Sequence, residues 1–354
     1  MSVDADLRIL AARLTAQLLA GRPATSPEAV TERMLAIQGQ DARGVRLAVR
    51  VRSRGLSAAD VDHALTHERS LVITWLCRGT LHLVRAEDYP WLQALTTPPL
   101  HVANARRLEQ EGVSASAAER GVEVIEHSLA EEGPLTRAQL RVRVAAAGIP
   151  TEGQALVHLL VLASLRGLIV RGPTIEREHA FVLVRDWLPK PAPIARDRAL
   201  AELARRYLAG HGPAEDRDLA KWSGLPLRDA RAGLGAIAAE PAELVERPDG
   251  LLDLRSRPRA ADLPPPRLLG AFDPVLLGWR SRETIVAEHK LIVTNNGLFR
   301  PFALVRGRAV ALWSFRGGKV ALAPFGRLAP PEAEALEAEA NDVERFLGAS
   351  PQAP

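Results

Sequence analysis

Two glutamines and a carboxylate stand close together near the start of the chain, in Ile37-Gln38-Gly39-Gln40-Asp41. A glutamine side chain accepts hydrogen bonds through its carbonyl oxygen and donates them through its amide, and it is a weak base. Such a pair could hold a water or a polar ligand in place; it could equally be a polar helix end that caps and meets solvent. Side chains two residues apart do not share a helix face, so Gln38 and Gln40 converge on one target only where the helix ends. Gly39 permits that break, and Asp41 fits a cap or a supporting acceptor. Other chemistries find less support. His63 and His67 share an i, i+4 face but lack the Glu of a metalloprotease helix, so they read as surface histidines, and no metal or other cofactor is expected. No Gly-x-Ser-x-Gly elbow, Walker loop or dinucleotide fingerprint is present.

The elements that must position these residues follow from periodicity and punctuation. Leu7, Leu10, Leu14 and Leu18 predict a first helix ending near Gly21, and Ser26-Pro27 opens a second that runs towards Gln38. Ala42 to Arg54 reads as a helix, and Ser57 caps a short one through Leu65. Leu71 to Trp75 and Thr80 to Val84 read as strands around the turn Cys77-Arg78-Gly79. Ser116 and Glu119 suggest a capping box for a helix towards Ala130.

An internal repeat then appears. Gly133-Pro134-Leu135-Thr136-Arg137-Ala138-Gln139-Leu140 matches Gly212-Pro213-Ala214-Glu215-Asp216-Arg217-Asp218-Leu219, with a helix before each and a glycine turn after, at Gly148 or Gly224. In the first copy a helix from Gln154 to Arg166 precedes strands near Leu168 to Arg171 and Ala180 to Val184. In the second, Leu227 to Ile237 precedes Glu243 to Glu246 and Leu251 to Leu254. Helix, short helix, longer helix and a two-stranded wing make a winged helix-turn-helix. Pro-rich stretches, Trp187 to Pro193 and Arg257 to Pro266, mark boundaries. Thr284 to Trp313 and Lys319 to Ala323, with turns at Asn296-Gly297, Arg306-Gly307 and Gly317-Gly318, suggest a small antiparallel β region closed by an acidic helix, Pro331 to Leu347. The expected fold class is α+β and predominantly helical. Its units are 1–112, winged-helix-like and carrying the glutamines; 113–190 and 194–257, winged helices; and 267–354, the β region with its closing helix.

Composition narrows the class. The 354 residues carry 46 Lys plus Arg against 42 Asp plus Glu, and only Lys190, Lys221, Lys290 and Lys319 are lysines. Guanidinium forks match phosphate, so this balance suits a polyanionic partner, although an arginine bias also follows from high genomic GC content. The single Cys77 excludes an internal disulfide and a cysteine-built zinc site. No run of 18 apolar residues and no secretory leader are seen, so a cytoplasmic location without membrane contact is expected.

Met34 to Ala48, MLAIQGQDARGVRLA, Trp75 to Trp91, WLCRGTLHLVRAEDYPW, Phe272 to Trp279, and Gly297 to Trp313, GLFRPFALVRGRAVALW, resemble in order the bacterial winged-helix DNA glycosylases of the AlkZ and YcaQ type. The resemblance implies tandem winged helices in a C-shaped arrangement and a Gln-x-Gln or Gln-x-Asp catalytic motif. It also implies excision of N-alkylated purines, bulky adducts and interstrand crosslinks included, in repair or self-resistance. In the Gln-x-Gln branch an aliphatic residue separates the glutamines; here it is Gly39.

On this resemblance Gln38 and Gln40 are the expected catalytic pair, and the partner is double-stranded DNA containing alkylated purines, bound by a monomer through a broad open cleft. Alkylation at N7 or N3 makes the purine cationic, so the base leaves without being protonated; the enzyme stabilises oxocarbenium character and places a water at C1′. Arg78, Thr80 and His82, on one hairpin, and Arg137 and Arg300 are the expected DNA contacts, with Arg141, Arg143 and Arg166 as further phosphate contacts. Structural hydrogen bonding is an equal reading for Thr80 and His82, and core packing for Phe299 and Phe302. The rival class is a non-enzymatic winged-helix regulator, or a lesion binder without catalysis.

Overall fold

Several helix starts are set by short polar caps. Ser26 Oγ accepts from Ala29 N at 3.1 Å and opens Pro27–Met34, as Ser-Pro predicts. Ser114, not Ser116, caps Ala115–Glu132, accepting from Ala117 N at 3.2 Å; Glu119 is turned outward to an ion pair with Arg166 instead. The computed structural model describes residues 3–348 apart from 176–177, 191–193, 240–242, 259, 261, 288 and 295, so parts of both Pro-rich connectors lie outside the described residues.

Helix ends were harder to read. The first helix, Val3–Ala16, stops before Gly21 because Leu18 takes φ +57, with Leu18 N bonded to Thr15 O and Leu19 N to Leu14 O. That is a Schellman motif in which leucine replaces the usual glycine. Leu35, at φ +62, ends the second helix at Met34 by a different turn, Ala36 N bonding Met34 O, so Gln38 lies in a two-residue strand, Ile37–Gln38, and not on a helix.

The chain divides into two units, residues 1–61 with 196–354, and residues 62–195. In the first, Arg196–His211 packs against Leu227–Ala238, Pro27–Met34 and Val3–Ala16, and Asp216–Ser223 packs on Leu227–Ala238. A hairpin, Leu244–Glu246 with Leu252–Leu254, follows. A four-stranded antiparallel sheet runs in the order Lys319–Pro324, Arg308–Arg316, Phe302–Val305, Arg267–Leu269. Its two turns, Arg306-Gly307 and Gly317-Gly318, have positive φ at both residues, the type I′ geometry that matches strand twist. Residues 284–301, expected as strand, are mostly irregular with a short helix, His289–Ile292. Helix Pro330–Gly348 docks on the sheet through buried Leu336, Val343 and Phe346.

In the second unit four strands lie in the order Thr80–Arg85, Leu71–Leu76, Ile169–Ile175, Glu178–Leu183, each antiparallel to its neighbour. Leu71 pairs Arg85 and Leu76 pairs Thr80 across the expected turn. Helices Tyr89–Thr96, Leu100–Gln110, Ala115–Glu132, Arg137–Ala146 and Ala155–Leu165 complete it.

The repeat seen in the sequence recurs in three dimensions. After the first helix of each copy a single residue bridges to the last strand of the hairpin: Leu135 to Phe181, and Ala214 to Leu252. Two helices follow, then the hairpin, once in each unit. The fold is mixed helix and antiparallel sheet, in agreement with the α+β expectation.

Candidate active site

The segment bearing the glutamines enters from a sealed core. Met34, Leu35 and Ile37 are fully buried, and Ala36 N bonds Met34 O at 2.8 Å across the left-handed Leu35. Gln38 is itself buried, at 7% exposure, whereas Gln40 is exposed. The helix ends at Met34, before either glutamine, and Gln40 follows the two-residue strand in a bend, so neither side chain is on a helix face. Asp41 then caps helix Ala42–Arg50, its Oδ1 accepting from Gly44 N at 2.5 Å. The expected capping role is therefore observed, and it occupies this carboxylate.

What holds the segment is the docking of that helix on residues 267–275. A Cβ on Gly44 would stand 2.4 Å from the Ala271 carbonyl oxygen, so glycine is required there by a backbone-to-backbone approach, and one on Gly270 would stand tightly, 3.1 Å from Gly44 Cα. Arg52 and Asp273, both with fully buried side chains, form a bidentate pair at 2.7 and 2.9 Å. Gln17 Oε1 also accepts from Arg52, and Asp273 Oδ1 from Val275 N. Arg50, also buried, donates to Glu339, Asp342 and Leu268 O. Two arginines of this helix region are thus internal fasteners, and they fix Ala271 and Phe272 beside Asp41.

Between these elements lies an open cleft of about 670 Å³. One side is Asp41, Ala42, Arg43, Gly44 and Leu47; the other is Ala271, Phe272, residues 294 and 298–301, Trp313 and Phe315. Phe272 and Phe299 rings meet at 5.0 Å, Arg282 lies over Phe299 at 5.2 Å, and Arg43 over Phe315 at 5.2 Å. Arg300, expected to face DNA, is exposed and lines this cleft, while Phe302 is core and Phe299 half-buried. A tight loop stands at its rim: Thr294 N bonds Leu298 O and Arg300 N bonds Ile292 O, leaving Leu298 59% exposed. The cleft is open, as expected, but its walls are more aromatic than the expectation of a broad groove suggested.

In the second unit the structure gathers three of the other predicted residues. His82 is in register with Thr74 and two residues from Thr80, so all three share one sheet face. The buried His82 Nδ1 donates to Thr80 O at 2.8 Å, which leaves Nε2 as the acceptor nitrogen. Burial, with the charge of Arg78 adding to it, pushes the imidazole down to about 3, so it is neutral at physiological pH. The hydroxyls of Thr74 and Thr80 are buried without a partner among the described residues. Arg78 sits half-buried in the turn, its own pKa lowered chiefly by burial. Thr74, which the sequence reading passed over, could have been found from the β-register once the hairpin was set.

The remaining basic residues separate. Arg137, exposed at the first position of helix Arg137–Ala146, lies near Arg171, which is in register with Ile73 and hence on the opposite sheet face from Thr74 and His82. Arg141 is exposed on the same helix. Arg143 and Arg166 are tied to Glu132 and Glu119, both at 2.5 Å. No group of three or more His, Cys, Asp or Glu suited to a metal occurs among the described residues, and none of the helices searched there is long and apolar enough to cross a membrane.

Comparison with known proteins gives this arrangement a relative. The chain is 28% identical to the interstrand DNA cross-link repair glycosylase of Streptomyces sahachiroi, over 97% of this chain and 96% of that protein. The structure of the Streptomyces sahachiroi DNA glycosylase AlkZ superposes with a TM-score of 0.75 at 25% identity, covering 97% of this chain and 96% of that one. The family profile described as DNA glycosylase AlkZ-like matches residues 31–346, from just before the glutamine segment to the end of the closing helix, and the chain therefore belongs to the AlkZ-like DNA glycosylase family.

Proposed function

We propose that this chain is a monofunctional glycosylase that hydrolyses the N-glycosidic bond of cationic N-alkylated purines in double-stranded DNA, N7-alkylguanine and N3-alkyladenine, with Gln38 and Gln40 as the catalytic pair. The observation that supports this reading is that a buried Gln38 and an exposed Gln40 lead directly into Asp41, which lines an open cleft together with Arg300. A glutamine carbonyl accepts from the attacking water while its amide donates to a sugar or phosphate oxygen, holding both for attack at C1′. A glutamine cannot protonate a leaving base, so a base released by this pair must already be cationic. This selects alkylated purines over uracil and normal bases.

The open cleft supports bulky N7 adducts as substrates, and the name of the Streptomyces sahachiroi relative extends the reading to interstrand crosslinks, in repair or in self-resistance to a DNA-alkylating compound. The repeated helix, bridge, two helices and hairpin support tandem winged helix-turn-helix units at 113–190 and 194–257 as the DNA-binding scaffold. In this reading Arg78, Thr80 and His82 meet the strand near the lesion, with Arg137 and Arg300 on phosphates.

Release of 7-methylguanine from methylated duplex DNA tests this, with Gln38→Ala and Gln40→Ala variants and a bulky N7-guanine adduct run in parallel. Each substitution is expected to lower release by about 10²-fold or more while duplex binding persists. Unchanged release in both variants would overturn the catalytic pair. Release of uracil at a comparable rate would overturn the substrate class. Salt-dependent duplex binding by the unsubstituted protein without any base release would leave only a DNA-binding protein.

A further inference from the structure

Arg171 interrupts the apolar run Ile169-Val170 on a strand whose register places it between Ile73 and Phe181. Its guanidinium lies 5.0 Å from the Trp75 ring and 5.2 Å from the Phe181 ring, and those rings stack at 6.3 Å. Cation–π contact fixes the plane of the fork but occupies none of its N–H donors. Among the described residues Arg171 has no carboxylate at ion-pair distance, and its Nε–H, closed off from solvent, has no acceptor. Burial, and after it the charge of Arg137, pull its pKa down to about 10 against the opposing charge of Glu178.

The backbone brings the two cations together. Leu135 and Phe181 exchange hydrogen bonds at 3.2 and 2.8 Å, and Thr136 caps the helix that Arg137 begins, so Arg137 emerges beside the ring that Arg171 covers. Arg137 also has no acidic partner among the described residues. Four other sheltered arginines do: Arg50 has Glu339 and Asp342, Arg52 has Asp273, Arg85 has Asp88, and Arg257 has Asp253. Two like charges held together without a counter-ion repel unless an anion arrives from outside. A second observation points to which anion. Helix Ala155–Leu165, third in its repeat and the one that reads a groove in a winged helix, is largely buried and has no Lys or Arg, so duplex DNA must be gripped elsewhere in this repeat.

We propose that Arg171 and Arg137 form a phosphate clamp, in which the aromatic-backed fork of Arg171 and the exposed Arg137 together hold one backbone phosphate of duplex DNA. This rests on the reading of the chain as an enzyme acting on DNA. Contact with both rings pre-orients the guanidinium, so little freedom is lost when the phosphate arrives.

The test is binding of the full chain to undamaged duplex from 50 to 200 mM salt, for the unsubstituted protein, Arg171→Gln and Arg137→Ala, with thermal unfolding of each and base release by the unsubstituted protein alongside. Losing one phosphate contact lowers the slope of log affinity against log salt by about 0.9, and weakens binding equally on all sequences. The clamp predicts that shift in both variants. If Arg171→Gln lowers the melting temperature, the shift in Arg137→Ala, at an exposed position, decides. Unsubstituted slopes in both variants would overturn the clamp and leave the glycosylase reading standing wherever base release is seen. A slope shift without base release would do the reverse. Stabilisation of the protein by inorganic phosphate, lost in both variants while the DNA slope stays fixed, would reassign the site to a free anion.

Discussion

At the scale of single residues, the most informative group is one that does not ionise. His82 is held neutral by burial, Nδ1 fixed on Thr80 O, with two hydroxyls on the same face that have no partner among the described residues. A neutral imidazole with an acceptor Nε2 can orient a hydroxyl or a water but cannot act as an acid at physiological pH. The consequence for stability has a definite sign. In the unfolded chain His82 takes a proton near its ordinary pKa of 6.5, whereas in the fold it stays neutral down to about 3. Between those values the unfolded state binds more protons, so stability falls as pH drops through that window. Melting temperature from pH 7 to pH 4 should fall more steeply for the unsubstituted protein than for His82→Asn, which keeps a donor to Thr80 O but cannot titrate; parallel curves would remove this role. The sequence identified His82, Thr80 and Arg78 by type and spacing. It could not show their burial, because alternation in Leu71–Leu76 is hidden by apolar residues on both faces.

At the scale of elements, the glutamine segment owes its placement to a buried ion pair far along the chain. Asp273 follows Phe272, a non-glycine at φ +58, a conformation that costs about 1–2 kcal/mol and persists only when its neighbours fix it. The Arg52–Asp273 pair does so, and it joins the end of helix Ala42–Arg50 to the wall of the cleft. Breaking it leaves a guanidinium buried and uncompensated, so Asp273→Asn should cost about 3–5 kcal/mol in denaturant unfolding, while Arg52→Met with Asp273→Leu should recover part of that loss. A destabilisation under 1 kcal/mol would show that water or a neighbour relieves Arg52. Type I′ turns, Ser-Pro starts and the Gly-Pro repeat were legible because glycine, proline and capping residues carry their geometry in their identity. The ends at Leu18 and Leu35 were not, since a leucine at positive φ is imposed by packing and leaves no mark in composition. Residues 284–301 misled for a related reason: Ile285, Val286 and Ile292 are buried in the core from irregular or helical backbone, without strand pairing.

At the scale of the whole molecule, an arginine-rich chain with a net charge of only +4 cannot be read as uniformly DNA-facing. Many of its guanidinium groups are spent internally. Arg143 donates to both oxygens of Glu132, and Arg166 to both of Glu119, and the bond to each arginine holds the glutamate below the usual carboxylate range. A phosphate approaching Arg143 or Arg166 must displace or share with a carboxylate already ionised there, and little of the counterion release that drives DNA association remains to be gained. Arg137 and Arg300, exposed and without acidic partners among the described residues, face no such competition. Four substitutions should therefore divide into two classes in duplex binding at about 100 mM salt. Arg137→Ala and Arg300→Ala should weaken binding several-fold, each with a slope lower by about 0.9, whereas Arg143→Ala and Arg166→Ala should change affinity less than about twofold with the slope intact. Equal losses across all four would mean that the molecule's summed positive field governs association. Losses confined to the two unpaired arginines would mean that local pairing decides which of them DNA can use.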